Sequence, residues 1–321
     1  MANWETEFVK IIKEICSEES VTISSFDDWA FVLEKADKRG FIYGYQFGLD
    51  SASTANVLKD KAAASEMMEK AGIPHIPHWC VMSPAAPEFC SLDSGWTFLE
   101  KALEKYGELV VKDNLGTGGR LVFCVRSKKE LEKACHDIFL TAPSLAVSPY
   151  VKIQEEYRLI MLDGELSVAF MKKRPSLVGD GKRTVKELLC DKIMGLDDKE
   201  LLNMLTYEKQ PKAFTASLKG SAVPKKDSEV LLEWKHNLGQ GSKPEVVKDS
   251  VLLEELVSLA EKAVDFFGLR FASVDIVKAG DSFRILEINS GVMMENLAKT
   301  DEILRKRTKE TYRKAIRLML Q

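Results

Sequence analysis

Two things are scarce in this chain: paired cysteines and long apolar runs. None of the six cysteines (Cys16, Cys80, Cys90, Cys124, Cys135, Cys190) stands in a CxxC pair. That usage suits reduced thiols in a cytoplasmic enzyme rather than a disulfide framework. No apolar stretch approaches the roughly 18–20 residues that a membrane span needs. The opening MANWETEFVKII is acidic and amphipathic, and reads as neither a secretory signal nor a transit peptide. Positive charge is not in excess: the formal net charge is −3, which gives no basis for binding nucleic acid through a general positive field. The one cluster with metal-like spacing is the HxxHxC of His75, His78 and Cys80. It follows Gly72-Ile73-Pro74 and reads as a strand or loop rather than a zinc site. There is no Ser/His/Asp or Cys/His constellation, no GK[ST] of a Walker loop, and no GxGxxG leading into a helix.

What is present is a 321-residue chain with 45% hydrophobic and 30% charged residues, enough for two or three subdomains. The first 58 residues are read as two helical stretches, near 6–17 and 26–38, followed by a strand near 40–45. A helix is expected over 59–71, closed by Gly72 and Pro74. Strands and helices then alternate: a strand near Cys80, a helix near 96–105, strands near 109–112 and 121–125, and a helix over 128–139. Residues 157–162 and 166–172 read as a hairpin about Asp163-Gly164. Helices are expected near 184–191 and 199–205. An apolar stripe from Val251 to Phe267 marks a helix of about four turns, and a basic amphipathic helix closes the chain near 302–320. Strands and helices in separate layers, with no regular βαβ repeat, give an α+β fold.

The chemistry concentrates in a second hairpin. RFASVDIV and FRILEINS are β-branched or aromatic runs separated by Ala279-Gly280-Asp281-Ser282. Side chains alternate along a strand, so Ser273 and Asp275 share a face, as do Glu287 and Asn289. With the turn centred on Asp281, Asp275 lies opposite Glu287 and Ser273 opposite Asn289. Two carboxylates directly opposed destabilise a sheet. A hard divalent cation would relieve that, and such a set suits Mg²⁺ completed by phosphate oxygens. Elsewhere, the strand ending in Lys112 is followed by Gly116, Gly118 and Gly119, glycines that let backbone amides approach an anion. Further glycine clusters follow Arg174 and Asn237. Cationic, glycine-rich elements together with a carboxylate hairpin point to a polyphosphate–metal complex.

In order along the chain, KDKAAASEMMEKAGIP, VVKDNLGTGGRLVF, EEYRLIMLDGELSVAFMKKRPSLVGDGKRTVKELL, NLGQGS and VDIV…LEINSG resemble the ATP-grasp superfamily of carboxylate–amine/thiol ligases. The resemblance is to the branch holding glutathione synthetases, ribosomal-protein glutamate ligases and cyanophycin synthetase. It implies an α+β ATP-grasp fold in which two α+β subdomains, over 59–147 and 148–321, clamp ATP behind a short N-terminal α/β segment, 1–58. It implies that Lys61 and Lys112 contact ATP phosphates, with Gly116, Gly118 and Gly119 as a flap. Ser148, Tyr150 and Val151 would form the hinge that reads adenine, and Glu156 would bind the ribose. Arg158 and Arg174 would hold γ-phosphate or acyl-phosphate oxygens, with Asn237 bordering the acyl-phosphate site. Asp275, Glu287 and Asn289 would ligate two Mg²⁺ ions, with Mn²⁺ able to substitute. Asp113 stands where many relatives have proline, and Pro149 where several have an acidic hinge residue.

The implied activity is that of a cytoplasmic ATP-dependent ligase. It would activate a carboxylate as an acyl phosphate and couple it to an amine, releasing ADP and phosphate. The alternatives are an ATP-grasp phosphotransferase and a non-catalytic ATP-binding protein. Its partners would be small-molecule or peptide substrates, with no nucleic acid and no membrane. A homo-oligomer is compatible with the resemblance. The sequence leaves the acid and the amine unnamed; Lys172, Lys173, Lys182, Arg183 and Lys235 fit an anionic substrate and a solvated surface equally well.

Overall fold

The computed structural model describes residues 5–84, 95–195, 221–232, 234–240 and 242–321. The helix expected near 199–205, together with Cys90 and Gly241, lies outside the described residues. The chain forms two compact units: one is Lys172–Glu245, and the other combines Met1–Met171 with Val246–Gln321.

The first unit begins with the helix Glu7–Glu18, whose N-terminus is capped by the Thr6 hydroxyl accepting from Val9 N–H. Strands β1 (Thr22–Phe26), β2 (Ala30–Lys35), β3 (Lys38–Tyr43) and β4 (Gln46–Phe47) follow as an antiparallel sheet in that order. The helix expected over 26–38 is therefore a correction: that stretch holds the end of one strand, a turn and a second strand. Leu, Glu, Lys and Ala there favour a helix, but burial follows period two. Phe31 and Leu33 point inward, and Ala30, Val32 and Glu34 do not. Turns with positive φ at Asp27, Asp28 and Ala36 close both ends of β2.

The inner face of this sheet packs Phe31 and Phe47 around Phe8, and Phe47 stacks on Tyr312 with ring centroids 5.5 Å apart. Tyr312 belongs to the closing helix Glu302–Met319. The basic stripe of that helix meets the acidic side of the first one: Arg305 bonds Glu7 and Glu14, and Lys309 bonds Glu14 and Glu18.

After the helix Ala52–Lys59 comes the helix Lys61–Lys70, capped by Asp60, which accepts from Ala63 N–H. Strands β5 (Trp79–Met82), β6 (Leu109–Asp113), β7 (Val122–Val125) and β8 (Ser144–Pro149) form an antiparallel sheet ordered β5–β8–β6–β7. The helices Trp96–Tyr106 and Lys128–Phe139 bury Leu99, Leu131 and Ile138 against Val81, Leu109, Val111, Leu145 and Val147 on one face. Alternation turns Lys112, Ser148 and Cys80 to the other face.

Strands β9 (Glu155–Leu162) and β10 (Glu165–Lys173) make the expected hairpin about Asp163-Gly164. In the second unit, β11 (Ser176–Val178) pairs with β12 (Glu229–Leu231), and β13 (Lys243–Val246) lies near its end in sequence. The helix Val185–Met194 packs Val185 and Leu188 on Leu177 and Leu232. Its start is a capping box: Thr184 Oγ accepts from Glu187 N–H, and the Glu187 carboxylate accepts from Thr184 N–H. Gly179 is obligatory for packing, since a Cβ there would stand 2.2 Å from the Lys225 carbonyl oxygen. Within RPSLVGDGKRTVKEL, one of the stretches that carry the resemblance, Gly179, Thr184 and Glu187 therefore have local folding roles.

Back in the first unit, the helix Ser250–Phe267 ends at Gly268 in the left-handed region, φ 61°. It covers one face of a sheet in which β14 (Phe271–Ala279) pairs with β9 on one side and β15 (Ser282–Asn289) on the other. Leu256, Ala260, Ala263 and Val264 pack on Leu159, Met161, Val274, Ile276 and Ile288, and all are buried. Alternation sends Glu156, Arg158, Ser273 and Asp275 to the opposite face, and their partners Glu287 and Asn289 with them.

Candidate functional site

Three neighbouring strands set one charged row. Asp275 on β14 is paired in register with Arg158 on β9 and with Glu287 on β15. Ser273 is opposite Asn289, one step along the same face. The hairpin turn itself pairs Ala279 with Ser282, a register that would set Asp275 against Leu286. An irregularity between Asp275 and Ile276 leaves Leu286 as the extra residue on β15, and so brings Glu287 opposite Asp275.

Arg158 binds Asp275 through both arms. Its Nε donates to Oδ1 and its Nη2 to Oδ2, each at 2.7 Å. Burial opposes the charge on Arg158, but Asp275 beside it more than offsets this and holds the guanidinium above its ordinary range. The group not committed to Asp275 is Nη1. Glu156 lies two residues back on the same face and is buried.

Two lysines complete the arrangement. Lys61 Nζ lies 3.9 Å from Glu287 Oε1 and donates to the carbonyls of Gly116 at 2.5 Å and Asn114 at 3.2 Å. Lys112 is buried, and loss of water pushes its ammonium down to about 8. Glu287 is the chief influence holding it up, Lys61 pushes it further down, and Glu156 supports it. Among the glycines between β6 and β7, Gly118 and Gly119 have φ of 70° and 71°, a conformation that favours glycine.

Ser148 is buried on the Lys112 face of its sheet, opposite Val110. Tyr150 N–H donates to the Glu108 carbonyl at 2.9 Å, so that hinge amide already has an acceptor within the protein. Val151 follows directly. Arg174 and Asn237 belong to the second unit. There, Asn237 Oδ1 accepts from Gly239 N–H at 2.9 Å. Of the basic residues that fit either an anionic substrate or a solvated surface, Arg183 is paired with Asp180 and Asp191, and Lys173 with Glu245. His75 and His78 each turn Nδ1 onto the carbonyl oxygen two residues earlier, both at 2.8 Å.

No family model matches the chain. It is 27% identical over 138 residues to the glutathione biosynthesis bifunctional protein of Streptococcus thermophilus, covering 42% of this chain and 17% of that protein. It is 26% identical over 249 residues to the cyanophycin synthetase of a Nostoc species, covering 74% of this chain and 26% of that protein. The chain therefore spans about a quarter or less of these two curated relatives. A crystal structure of a bifunctional glutathione synthetase from Pasteurella multocida superposes with a TM-score of 0.53 at 17% identity, over 95% of this chain and 43% of that one. The chain has the ATP-grasp fold.

The expectation of an α+β ATP-grasp architecture is thus borne out. ATP-grasp relatives imply ATP and, typically, Mg²⁺. The residues present fit such an ion. The donors on the charged row are oxygens, and Ser273 Oγ, 1% exposed as a residue and next to them on the same face, has no hydrogen-bond partner. Among the described residues, no group of three or more His, Cys, Asp or Glu side chains could by itself hold a metal. A partial oxygen set matches a cation that takes one or two carboxylates and fills its remaining positions from phosphate and water.

Asn114 was not singled out from the sequence, yet it ties the pieces together. Buried to 1% exposure, it accepts from Ala62 N–H through Oδ1 and donates from Nδ2 to Asp60, while its carbonyl accepts from Lys61. It thereby anchors the start of the helix that carries Lys61 to the glycine loop. Its position directly after the Lys112 strand, inside that loop, was the available signal.

Proposed function

We propose that this ATP-grasp chain is an Mg²⁺- and ATP-dependent ligase that activates a carboxylate as an acyl phosphate and joins it to an amine, releasing ADP and phosphate. The observation that carries the reading is the row Arg158–Asp275–Glu287, formed by adjacent strands, with Lys61 reaching Glu287 and Lys112 influenced by it. Cations placed against carboxylates in this way suit a triphosphate whose ion lies between the two.

Asp275, Glu287 and Asn289 would hold two Mg²⁺ ions, or Mn²⁺ in their place, which neutralise the phosphates and polarise the γ-phosphoryl group. Lys61 and Lys112 bind phosphate oxygens, and Gly116, Gly118 and Gly119 close over them and exclude water. Ser148, Tyr150 and Val151 border the base, and Glu156 binds the ribose hydroxyls. Arg158 offers Nη1 to the transferring phosphoryl group, and Arg174 and Asn237 serve the acyl phosphate. The substrate carboxylate attacks the γ-phosphorus and ADP leaves; the amine then attacks the acyl carbon and phosphate leaves. Residues 59–147 and 148–321 are read as the two halves of the clamp. The acid and amine are small molecules or peptides.

Mg²⁺-dependent ADP release, measured against amino acids and short peptides singly and in pairs, tests this. Release that rises only with one acid–amine pair, together with a product of the summed mass less water, supports the ligase. ATP turnover that forms a phosphorylated product and no amide overturns it.

A further inference from the structure

His78 uses only half of its hydrogen-bonding capacity. The residue is 5% exposed. Its Nδ1 meets the Ile76 carbonyl at 2.8 Å, and a carbonyl only accepts, so that nitrogen carries the proton. Nε2 is then a bare lone pair, buried and without a hydrogen-bond partner among the described residues. Burial, together with the ammonium charges of Lys112 and Lys61, keeps the imidazole neutral. A buried acceptor left unpaired costs free energy that a donor would return.

The fold places this ring on the Lys112 face of the sheet β5–β8–β6–β7. Trp79 is paired with Val147 and Cys80 with Ala146, and Ala146 is paired on its other side with Lys112. Trp79 packs into the core on the helix side, so alternation turns His78 to the face that carries Cys80 and Lys112. Continued by one residue, the register sets His78 beside Ser148, which is itself opposite Val110. The His78 N–H donates to Ser65 Oγ at 2.8 Å, one turn after Lys61 on the same helix. The ring is thereby fixed between the strand that ends in Lys112 and the helix that starts with Lys61. Lys112 acts on the imidazole through its charge yet donates no hydrogen bond to it.

We propose that His78 Nε2 accepts a hydrogen bond from the exocyclic amino group of bound adenine, and so sets a preference for ATP over GTP. The assignment rests on the reading of Ser148, Tyr150 and Val151 as the residues bordering the base. Within residues 148–151 there is no carboxylate or amide side chain to take that amino group. Adenine donates at this position, whereas guanine presents an oxygen that only accepts. Set against a second lone pair, that oxygen is left unpaired, and a site built on one hydrogen bond discriminates on this ground.

Calorimetric titration of the full chain with Mg²⁺-ATP and with Mg²⁺-purine riboside triphosphate, which has hydrogen in place of the amino group, tests this. His78→Phe keeps a planar ring and removes the acceptor. It is expected to weaken ATP about fivefold or more, the scale of one neutral hydrogen bond, and to leave the purine riboside nucleotide unchanged. A second measurement keeps the wild-type chain and so decides the matter even if His78→Phe fails to fold. With the four histidines labelled with ¹⁵N, ATP should shift the Nε2 resonance of His78 upfield, and purine riboside triphosphate should not. Equal weakening of both nucleotides by His78→Phe overturns the proposal. An Nε2 resonance that responds to both nucleotides alike, or to neither when both bind, overturns it equally. A wild-type chain that binds neither nucleotide fails differently, since it overturns the ligase reading and this assignment with it.

Discussion

Arg158 and Asp275, which are 117 positions apart, sit side by side on neighbouring strands and share two hydrogen bonds of 2.7 Å. Their side chains are 14% and 4% exposed, so each is the other's main compensation for lost water. This pairing separates the two carboxylates of the charged row. Asp275 is locked by its neighbour, whereas the Glu287 side chain is 28% exposed and bound less tightly, through Lys61.

The two carboxylates should therefore respond differently to removal. Asp275→Ala leaves a buried guanidinium unpaired and is expected to cost about 3–5 kcal/mol of stability. Glu287→Gln is expected to cost under about 1 kcal/mol, as for a weakly paired, partly exposed group. Both should lower Mg²⁺-dependent ATP turnover at least about a hundredfold, the scale of losing a charge-stabilising group. Thermal melts and ADP release on both variants check this; unchanged turnover in Glu287→Gln would remove it from the metal set.

Lys112 gives the site a pH limit. Its ammonium is pushed down to about 8 chiefly by burial, so the charge is present below that pH and lost above it. Bound phosphate favours the charged form, so nucleotide binding should take up a proton near pH 8. The KM for ATP is expected to rise roughly tenfold per pH unit above about 8, with kcat changing less. The effect on folding has the opposite sense. A lysine lowered in the folded state binds its proton more tightly when unfolded, so stability rises as pH goes from about 8 toward the ordinary lysine value. A KM profile flat to pH 9.5, measured by initial rates, would show that Lys112 does not meet the phosphates.

Asn114→Ala removes both side-chain bonds that hold the start of the Lys61 helix. A loss of about 1–3 kcal/mol is expected from the groups left unsatisfied. Because Lys61 is displaced with that helix start, the KM for ATP should also rise, by about tenfold or more. Asn114→Asp keeps the acceptor for Ala62 N–H but sets a carboxylate against Asp60, and should be no better. Denaturant titration with initial rates at varied ATP resolves the two effects.

Tyr312 tests how the segment after the hairpin of the proposed metal ligands is held. Its hydroxyl donates to the Val292 carbonyl and accepts from Met294 N–H, both at 2.9 Å, in a fully buried setting. Tyr312→Phe keeps the ring against Phe47 and leaves those two backbone groups unpaired, for an expected loss of about 1–3 kcal/mol. Chemical denaturation measures it directly; a change within error would mean that water replaces the hydroxyl.

The sequence by itself determined the elements whose periodicity was long and unambiguous. The helix over 128–139, the stripe from Val251 and the hairpin about Asp163-Gly164 all follow from spacing and turn chemistry, because burial on one face selects residues at a fixed period. It also brought Asp275, Glu287 and Asn289 onto one hairpin, since alternation is a local property of a strand. It misread residues 26–38, where helix-forming residues lie in a strand. Local preference there amounts to tenths of a kcal/mol per residue and yields to the burial of Phe31 and Leu33. Only the tertiary structure could decide the rest. The partner of Asp275 comes from another strand, the bulge at Leu286 decides which side chain faces it, and Asn114 acts through a helix more than fifty residues upstream. Those relationships depend on contacts between segments far apart in the chain, and no local pattern records them.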